Sequence, residues 1–339
     1  MRRCIELAKM GAGNVAPNPM VGAVLVFNNR IIGEGYHEKY GEAHAEVNCL
    51  NNVTDADRHL ISKSTLYVSL EPCSHFGKTP PCVDLILMNK IVHVVIGCTD
   101  SFEKVNGAGI TKLIANAVKV ETGILKDECI HLNKRFFTYH QKKRPYIILK
   151  WAQTNDGFIA AENGKPVKIS NNYTNKLSHK WRAEEAAILV GTNTVINDNP
   201  HLTVRNWYGK NPVRIVIDIN LKINSTANIY NAEADTIIFN SKKSEQIGNV
   251  LFHKIDNNNN IMDGILEYLF TNNIISCIIE GGSKTLQSFI DIGFWDEARI
   301  ITNTSLNIEK GIKAPILSNA SYNNTIEILS DRINFFTKQ

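Results

Sequence analysis

Short apolar runs alternate with stretches of helical period along most of the chain. Residues 5–9 predict a short helix, and 23–27 and 31–36 two paired strands around the polar turn Asn28-Asn29-Arg30. The compact apolar runs at 64–70 (STLYVSL) and 92–97 read as buried strands, and 107–116 leads into a helix. Residues 141–145 (QKKRP) are polar, end in proline and predict a linker. A second series follows, with strands expected at 146–151, 187–190, 213–218, 236–239, 274–279 and 298–302. Helices are expected at 173–186, 261–272 and 283–292, and the asparagine run 257–260 reads as an exposed loop. Alternation of this kind predicts two layered α/β domains, residues 1–141 and 146–339, joined by 142–145.

Composition agrees with that division. A chain of 339 residues, 43% hydrophobic and 21% charged, is long enough for two domains, each taking roughly 100–200 residues. A net charge of +4 suits a phosphorylated small molecule and is too weak to argue for nucleic acid. Seven cysteines, an odd number scattered along the chain, argue against a disulfide framework and for a reducing, cytoplasmic setting. Met1-Arg2-Arg3 begins like a signal peptide, but the residues behind it carry charges and form no apolar core segment. No apolar run approaches the roughly 20 residues of a membrane span, so no membrane partner is expected.

The chemistry concentrates in His44-Ala45-Glu46, Glu71-Pro72-Cys73 and Cys82. One imidazole and two thiols supply three metal-ligating atoms, and Glu46 follows the histidine without being needed as a ligand. Structural zinc sites close with four protein ligands, whereas catalytic ones keep a place for water. The order H-x-E, then P-C and a later C, is that of zinc deaminases acting on nucleobases and nucleotides. Cys73 lies just past a predicted strand. Pro80-Pro81 precedes Cys82, and His44 opens an apolar-periodic stretch, so two ligands stand at helix starts, where the dipole favours thiolate. The plainer reading is three unrelated core residues, cysteine being often buried. The second half shows two strand-to-helix turns, Glu280-Gly281-Gly282-Ser283 and Val190-Gly191-Thr192. Each can hold a phosphate on free backbone N–H groups or be only a tight turn.

Longer stretches carry a resemblance. Ala16-Pro17-Asn18-Pro19-Met20-Val21-Gly22, the GEAHAE segment ending at Glu46, and EPCSHFGKTPPC with eight residues between Cys73 and Cys82 are similar to one family's first domain. Lys150-Trp151-Ala152, Asp156-Gly157, VGTNTVINDNP beginning at Val190, Leu202-Thr203-Val204-Arg205 and Glu280-Gly281-Gly282 are similar to its second. The chain thus resembles, nearly end to end, the bifunctional deaminase/reductase of riboflavin biosynthesis. The resemblance implies a cytidine-deaminase-like three-layer α/β/α domain followed by a dihydrofolate-reductase-like α/β domain. It also implies Zn2+ on His44, Cys73 and Cys82, with Glu46 as proton shuttle. Asn18 would hold the pyrimidine ring, and His75 or Lys78 its phosphate side. In the second half it implies NADPH at Ala152, Lys168, Thr194, Asp198 and the turn Gly282, Ser283, Lys284, Thr285, Leu286, Gln287 and Ser288. The phosphorylated pyrimidine substrate would meet Lys150, Ser170, Arg182, Leu202, Arg205 and Glu280. Family members further imply a homo-oligomer.

Departures from that pattern fall in both halves. Lys168-Ile169-Ser170-Asn171 stands where Trp-Ile-Thr-Ser is common, Asp100-Ser101-Phe102-Glu103 stands for Asp-Pro-Asn-Pro, and Pro166 replaces a polar residue. Two alternatives stay open: a chain in which only the deaminase half works, and a deaminase of nucleic-acid bases. The second predicts Cys-x-x-Cys spacing and a basic aromatic groove. From its flanks alone, Arg182 beside Glu184 and Glu185 reads as a solvated helix residue.

Overall fold

The computed structural model describes residues 1–76, 80–100, 107–255 and 261–339, in two compact units, Met1–Lys143 and Arg144–Gln339. The first unit runs α1 (Arg2–Lys9), β1 (Gly22–Phe27), β2 (Arg30–Tyr36), α2 (Ala45–Asn51), β3 (Thr65–Leu70), α3 (Cys82–Met88), β4 (His93–Cys98), α4 (Ala108–Ala115), β5 (Lys119–Thr122), α5 (Lys126–Leu132) and α6 (Lys134–Lys142). Its sheet has the order β2-β1-β3-β4-β5. Asn28 and Asn29 both take positive φ, 46° and 62°, the turn whose twist suits a two-residue hairpin. β3, β4 and β5 are parallel, so crossovers place helices on the sheet. Ala45, Cys49 and Leu50 of α2, Val83 and Ile86 of α3 and Leu113 of α4 bury one face. Ile5 and Ala8 of α1, Cys129 and Leu132 of α5 and Phe136 and Phe137 of α6 form a second cluster with Leu70 and Cys98. The result is the expected α/β/α layering.

The second unit runs β6 (Tyr146–Thr154), β7 (Phe158–Ala161), α7 (Asn172–Glu184), β8 (Ala187–Gly191), α8 (Thr192–Asp198), β9 (Val213–Ile217), β10 (Thr236–Asn240), β11 (Glu245–Ile247), β12 (Val250–Lys254), α9 (Ile261–Thr271), β13 (Ser276–Ile279), α10 (Ser283–Asp291), β14 (Glu297–Asn303), β15 (Gly311–Lys313), β16 (Ala320–Ile328) and β17 (Asp331–Lys338). The main sheet has the order β11-β12-β10-β9-β8-β13-β6-β14-β17-β16 and is parallel from β12 to β14. Ile147, Leu149 and Trp151 of β6 pack with α9 and α10 on one face, while Tyr146 and Ile148 pack with Trp181 of α7 on the other. A strand buried on both faces reads as one continuous apolar run, which is why β6 was visible in the sequence.

Several features differ from expectation. α6 continues through Lys142, so the first residue of the expected linker 142–145 is helix, which ends where Lys143 takes φ 52°. Arg144 already belongs to the second unit, where it forms a two-pronged pair with Asp296 at 2.6 and 2.8 Å. The β16–β17 hairpin was not anticipated: β16 (ASYNNTIEI) is exposed along most of its length and shows no apolar alternation. The loop expected at 257–260 lies outside the described residues.

Candidate functional site

His44 occupies the N-cap position of α2, with extended backbone (φ −73°, ψ 165°), and its carbonyl accepts the Asn48 N–H at 3.1 Å. α2 can lie this close to β2 because Gly35 has no side chain: a Cβ there would stand 2.2 Å from the Cys49 nitrogen. Cys73 follows β3, and Cys82 is the first residue of α3, behind Pro81. The Cys82 N–H donates to Cys73 Sγ at 3.4 Å, and the Val83 N–H to the Cys73 carbonyl at 3.2 Å, so the first turn of α3 clasps Cys73.

Nδ1 of His44 lies 3.5 Å from Cys73 Sγ and 3.3 Å from Cys82 Sγ, and the three donor atoms fall within 4.8 Å of one another. Tetrahedral zinc, with bonds of about 2.3 Å to sulfur and 2.0 Å to nitrogen, asks for N···S edges of roughly 3.6 Å. The donor set therefore fits that ion in both chemistry and spacing. The Cys82 thiol and then His44 hold the Cys73 thiol down, leaving a thiolate ready for a metal. Cys82, the partner in that hydrogen bond, is pushed up. Glu46, in the first turn of α2, is 3% exposed, and burial followed by the Cys73 charge raises its carboxyl pKa.

Asn18 lies beside this centre through a residue the sequence reading missed. His37 is 2% exposed, and its ring stands 5.4 Å from that of His44. Its Nδ1 meets the Ala43 carbonyl at 3.0 Å, which can only accept, so Nδ1 carries the proton. Burial lowers the His37 pKa and keeps the ring neutral, leaving Nε2 to accept the Asn18 amide at 3.1 Å. Asn18 Oδ1 is thereby turned away from His37. A second missed residue is Glu71, buried at 4%, whose carboxylate accepts the N–H groups of Asp100 (3.2 Å), Gly107 (3.1 Å) and Gly109 (3.0 Å). It belongs to the EPC motif, but its partners lie more than 25 residues on, where no spacing rule reaches. His75 is exposed; Lys78 and Ser101, Phe102 and Glu103 lie outside the described residues.

In the second unit a cleft of about 830 Å³ opens beyond the carboxyl ends of β6, β8, β9 and β13, where open parallel sheets take ligands. Lys150 and Ala152 of β6 line it, with Lys168 and Ser170 before α7 and Arg182 on α7. Thr194 and Asp198 of α8, Glu280 after β13, and Gly282, Ser283, Lys284, Thr285, Leu286 and Ser288 complete that wall. Gly282 takes φ 62°, and a Cβ on it would stand 3.3 Å from Thr194 Oγ1; one on Gly191 would stand 2.5 Å from Thr285 Oγ1. The two turns thus form a close-walled cradle at the start of α10, suited to a phosphate-bearing cofactor. Gln287 stands apart: it pairs with the Ile316 backbone (2.8 Å) and with Asp291 (2.7 Å). Lys168 Nζ reaches Asn172 Oδ1 at 3.4 Å. Burial raises the Asp198 pKa.

Glu280 accepts Nε and Nη2 of Arg182, both at 2.8 Å, and Lys150 Nζ at 3.4 Å. Burial works against its charge, yet Arg182 and Lys150 outweigh it and hold the carboxyl at about 2. Lys150 moves the other way, since burial and the Arg182 charge prevail over Glu280. Two cations share one carboxylate, so the buried cluster keeps one unbalanced positive charge. Leu202 (φ 55°, 3% exposed) and Arg205 lie beside it, outside the cleft wall, with Arg205 Nη1 donating to Thr203 Oγ1 at 3.2 Å.

Residues 1–98 match the family described as the cytidine and deoxycytidylate deaminase zinc-binding region, and residues 145–305 match the RibD C-terminal domain. The riboflavin biosynthesis protein RibD of Aquifex aeolicus is 42% identical over 305 residues, covering 87% of this chain and 83% of its own. That of Actinobacillus pleuropneumoniae is 39% identical over 326 residues, covering 93% and 86%. Among solved structures, a Thermotoga maritima diaminohydroxyphosphoribosylaminopyrimidine deaminase/5-amino-6-(5-phosphoribosylamino)uracil reductase superposes with a TM-score of 0.92 at 35% identity, over 100% of this chain and 97% of that one. Acinetobacter baumannii RibD gives 0.88 at 27%, over 100% and 97%. A deaminase of nucleic-acid bases would leave residues 145–305 without a role, whereas here both halves find their counterparts within single relatives. The chain belongs to the bifunctional deaminase/reductase family of riboflavin biosynthesis.

Proposed function

We propose that residues 1–141 hydrolytically deaminate a diaminopyrimidinone ribosyl phosphate, and that residues 146–339 reduce its ribosylamino group to ribitylamino with NADPH. The observation that carries the first step is the donor set of His44, Cys73 and Cys82 beside buried Glu46. Zinc held there supplies an acidified water at neutral pH. Glu46 moves the protons: it takes one from the water and gives one to the departing ammonia, so that water enters and ammonia leaves. Asn18, fixed through His37, offers Oδ1 to an N–H of the ring.

In the second half NADPH supplies hydride to C1′. The cradle at Gly282, Thr194 and Thr285 supports its phosphates, and Ala152, Lys168 and Asp198 border the rest of the cofactor. The unbalanced charge of Lys150, Arg182 and Glu280, with Arg205 and Leu202 beside it and Ser170 across the cleft, supports binding of the substrate's phosphorylated end. Lys150, its pKa lowered by burial, is suited to protonate the ribose ring oxygen as its bond to C1′ opens. Seven cysteines without a disulfide, two of them the thiol ligands, support a reducing cytoplasm, and we place the enzyme there as a homo-oligomer. Among the described residues no helix is long and apolar enough to cross a membrane.

A two-stage assay on zinc-loaded protein tests the reading. The diaminopyrimidinone substrate is supplied without cofactor and ammonia is followed; NADPH is then added and its oxidation followed. Ammonia first, then NADPH oxidation, is the expected course. Ammonia without oxidation would assign only the first half, and no ammonia would refute the deaminase.

A further inference from the structure

The reductase half holds a buried histidine to which the reading above gives no role. His179 is 2% exposed and lies on α7, one turn before Arg182. The Arg205 backbone N–H donates to its Nδ1 at 3.1 Å. From the same helix, Arg182 Nη1 donates to the Thr203 carbonyl at 3.4 Å, while Thr203, 2% exposed, accepts Arg205 Nη1 on its hydroxyl at 3.2 Å. Leu202, just before, takes φ 55°, a conformation unfavourable for a branched side chain and therefore one its surroundings must impose.

We propose that His179 is a positioning residue for substrate binding: its Nδ1 holds the Arg205 main chain, fixing the Leu202–Arg205 turn against α7 so that Arg182 and Arg205 present a preset pair of guanidinium groups to one anionic group of the substrate. This rests on the assignment of Arg182 and Arg205 to the substrate. The acceptor matters at this point, because the exposed Arg205 turns its N–H inward to a ring that is itself only 2% exposed. The ring also stays neutral: burial first, then the charges of Arg182 and Arg205, lower its pKa to about 4, against smaller opposing effects of Glu280 and a hydrogen bond to the Thr203 backbone. A lysine or arginine here could not accept the bond, whereas asparagine could, since its Oδ1 stands one bond beyond Cγ as Nδ1 does.

The test is steady-state kinetics of the reductase step on deaminated substrate, with His179→Ala, His179→Asn and Arg205→Met in the full-length zinc-loaded enzyme. His179→Ala and Arg205→Met should each raise the substrate KM roughly 10-fold, the scale of one buried hydrogen bond lost, with kcat and the NADPH KM within about twofold. His179→Asn should return the substrate KM to within about threefold of wild type. An unchanged KM in Arg205→Met overturns the substrate assignment itself. An effect in Arg205→Met with none in His179→Ala overturns the positioning role alone, as does a His179→Asn enzyme no better than His179→Ala. Should His179→Ala not fold, the wild-type protein still decides: long-range nitrogen–proton NMR at neutral pH must show the His179 proton on Nε2, and a proton on Nδ1 refutes the hydrogen bond.

Discussion

Replacing Glu280 by glutamine isolates the energetics of the reductase cleft. The carboxylate is buried, and Arg182 and Lys150 take its pKa from 4.5 to about 2 despite that burial. At about 1.4 kcal/mol per unit, this corresponds to about 3 kcal/mol of stability at neutral pH. Breaking a buried pair on one side costs about 3–5 kcal/mol in general. The lower end agrees with the figure from the depressed Glu280 pKa. All four tryptophans, Trp151, Trp181, Trp207 and Trp295, belong to the second unit, so urea unfolding followed by tryptophan fluorescence reports that unit alone. Glu280→Gln should lose about 3 kcal/mol at pH 7. The pH dependence has a definite sign. A carboxylate with a depressed folded-state pKa contributes fully above its unfolded value and loses that contribution as pH falls through the folded one. The wild-type advantage over Glu280→Gln should therefore be complete above pH 4.5 and vanish as pH approaches about 2. A difference below about 1 kcal/mol at pH 7, or one independent of pH across that window, would refute the charge argument.

Other perturbations separate the two halves. Glu46→Gln should slow ammonia release by roughly 10²–10⁴-fold while leaving NADPH oxidation on deaminated substrate unchanged; parallel loss of both would point to misfolding instead. Cys82→Ser should lower the zinc content measured by elemental analysis and abolish deamination with reduction intact, and full zinc retention would mean that other donors hold the ion. Asn171 caps α7, accepting the N–H groups of Tyr173 and Thr174 at 3.0 and 3.1 Å, and its amide donates to the Ile328 carbonyl at 2.7 Å. Asn171→Ala should cost the second unit about 1–2 kcal/mol in the same fluorescence experiment, and no change would deny the cap a stabilising role.

The metal donors were legible because helix starts and strand ends place them by local rules: a histidine opening α2, a cysteine past β3, and a cysteine behind two prolines. The parallel strands were legible because burial on both faces leaves an unbroken apolar run. Contacts made at long range were not. Arg182 resembled a solvated residue because its neighbours in sequence are acidic, yet it pairs with Glu280, whose position only the sheet order brings near. Glu71 and His179 act through backbone groups of distant loops, and His37 links the Ala43 carbonyl to the Asn18 side chain 19 residues away; no spacing announces such bonds. β16 was missed because a strand that buries little needs no apolar pattern.

The sheet order has a kinetic consequence as well. β6 is the first strand of the second unit to be synthesised, yet it pairs with β13 from Ser276 and β14 from Glu297, both made more than 120 residues later. At ribosomal rates of roughly 5–20 residues per second, Tyr146–Thr154 waits on the order of ten seconds for its first neighbour. Non-local parallel pairing of this kind also folds slowly once the chain is complete. During that interval the first unit has all its strands available, whereas the second exposes an apolar segment with both edges open. A chain halted between Thr154 and Ser276 presents that segment to any other nascent chain nearby, which makes premature termination in the second half a source of aggregation rather than merely of an inactive reductase.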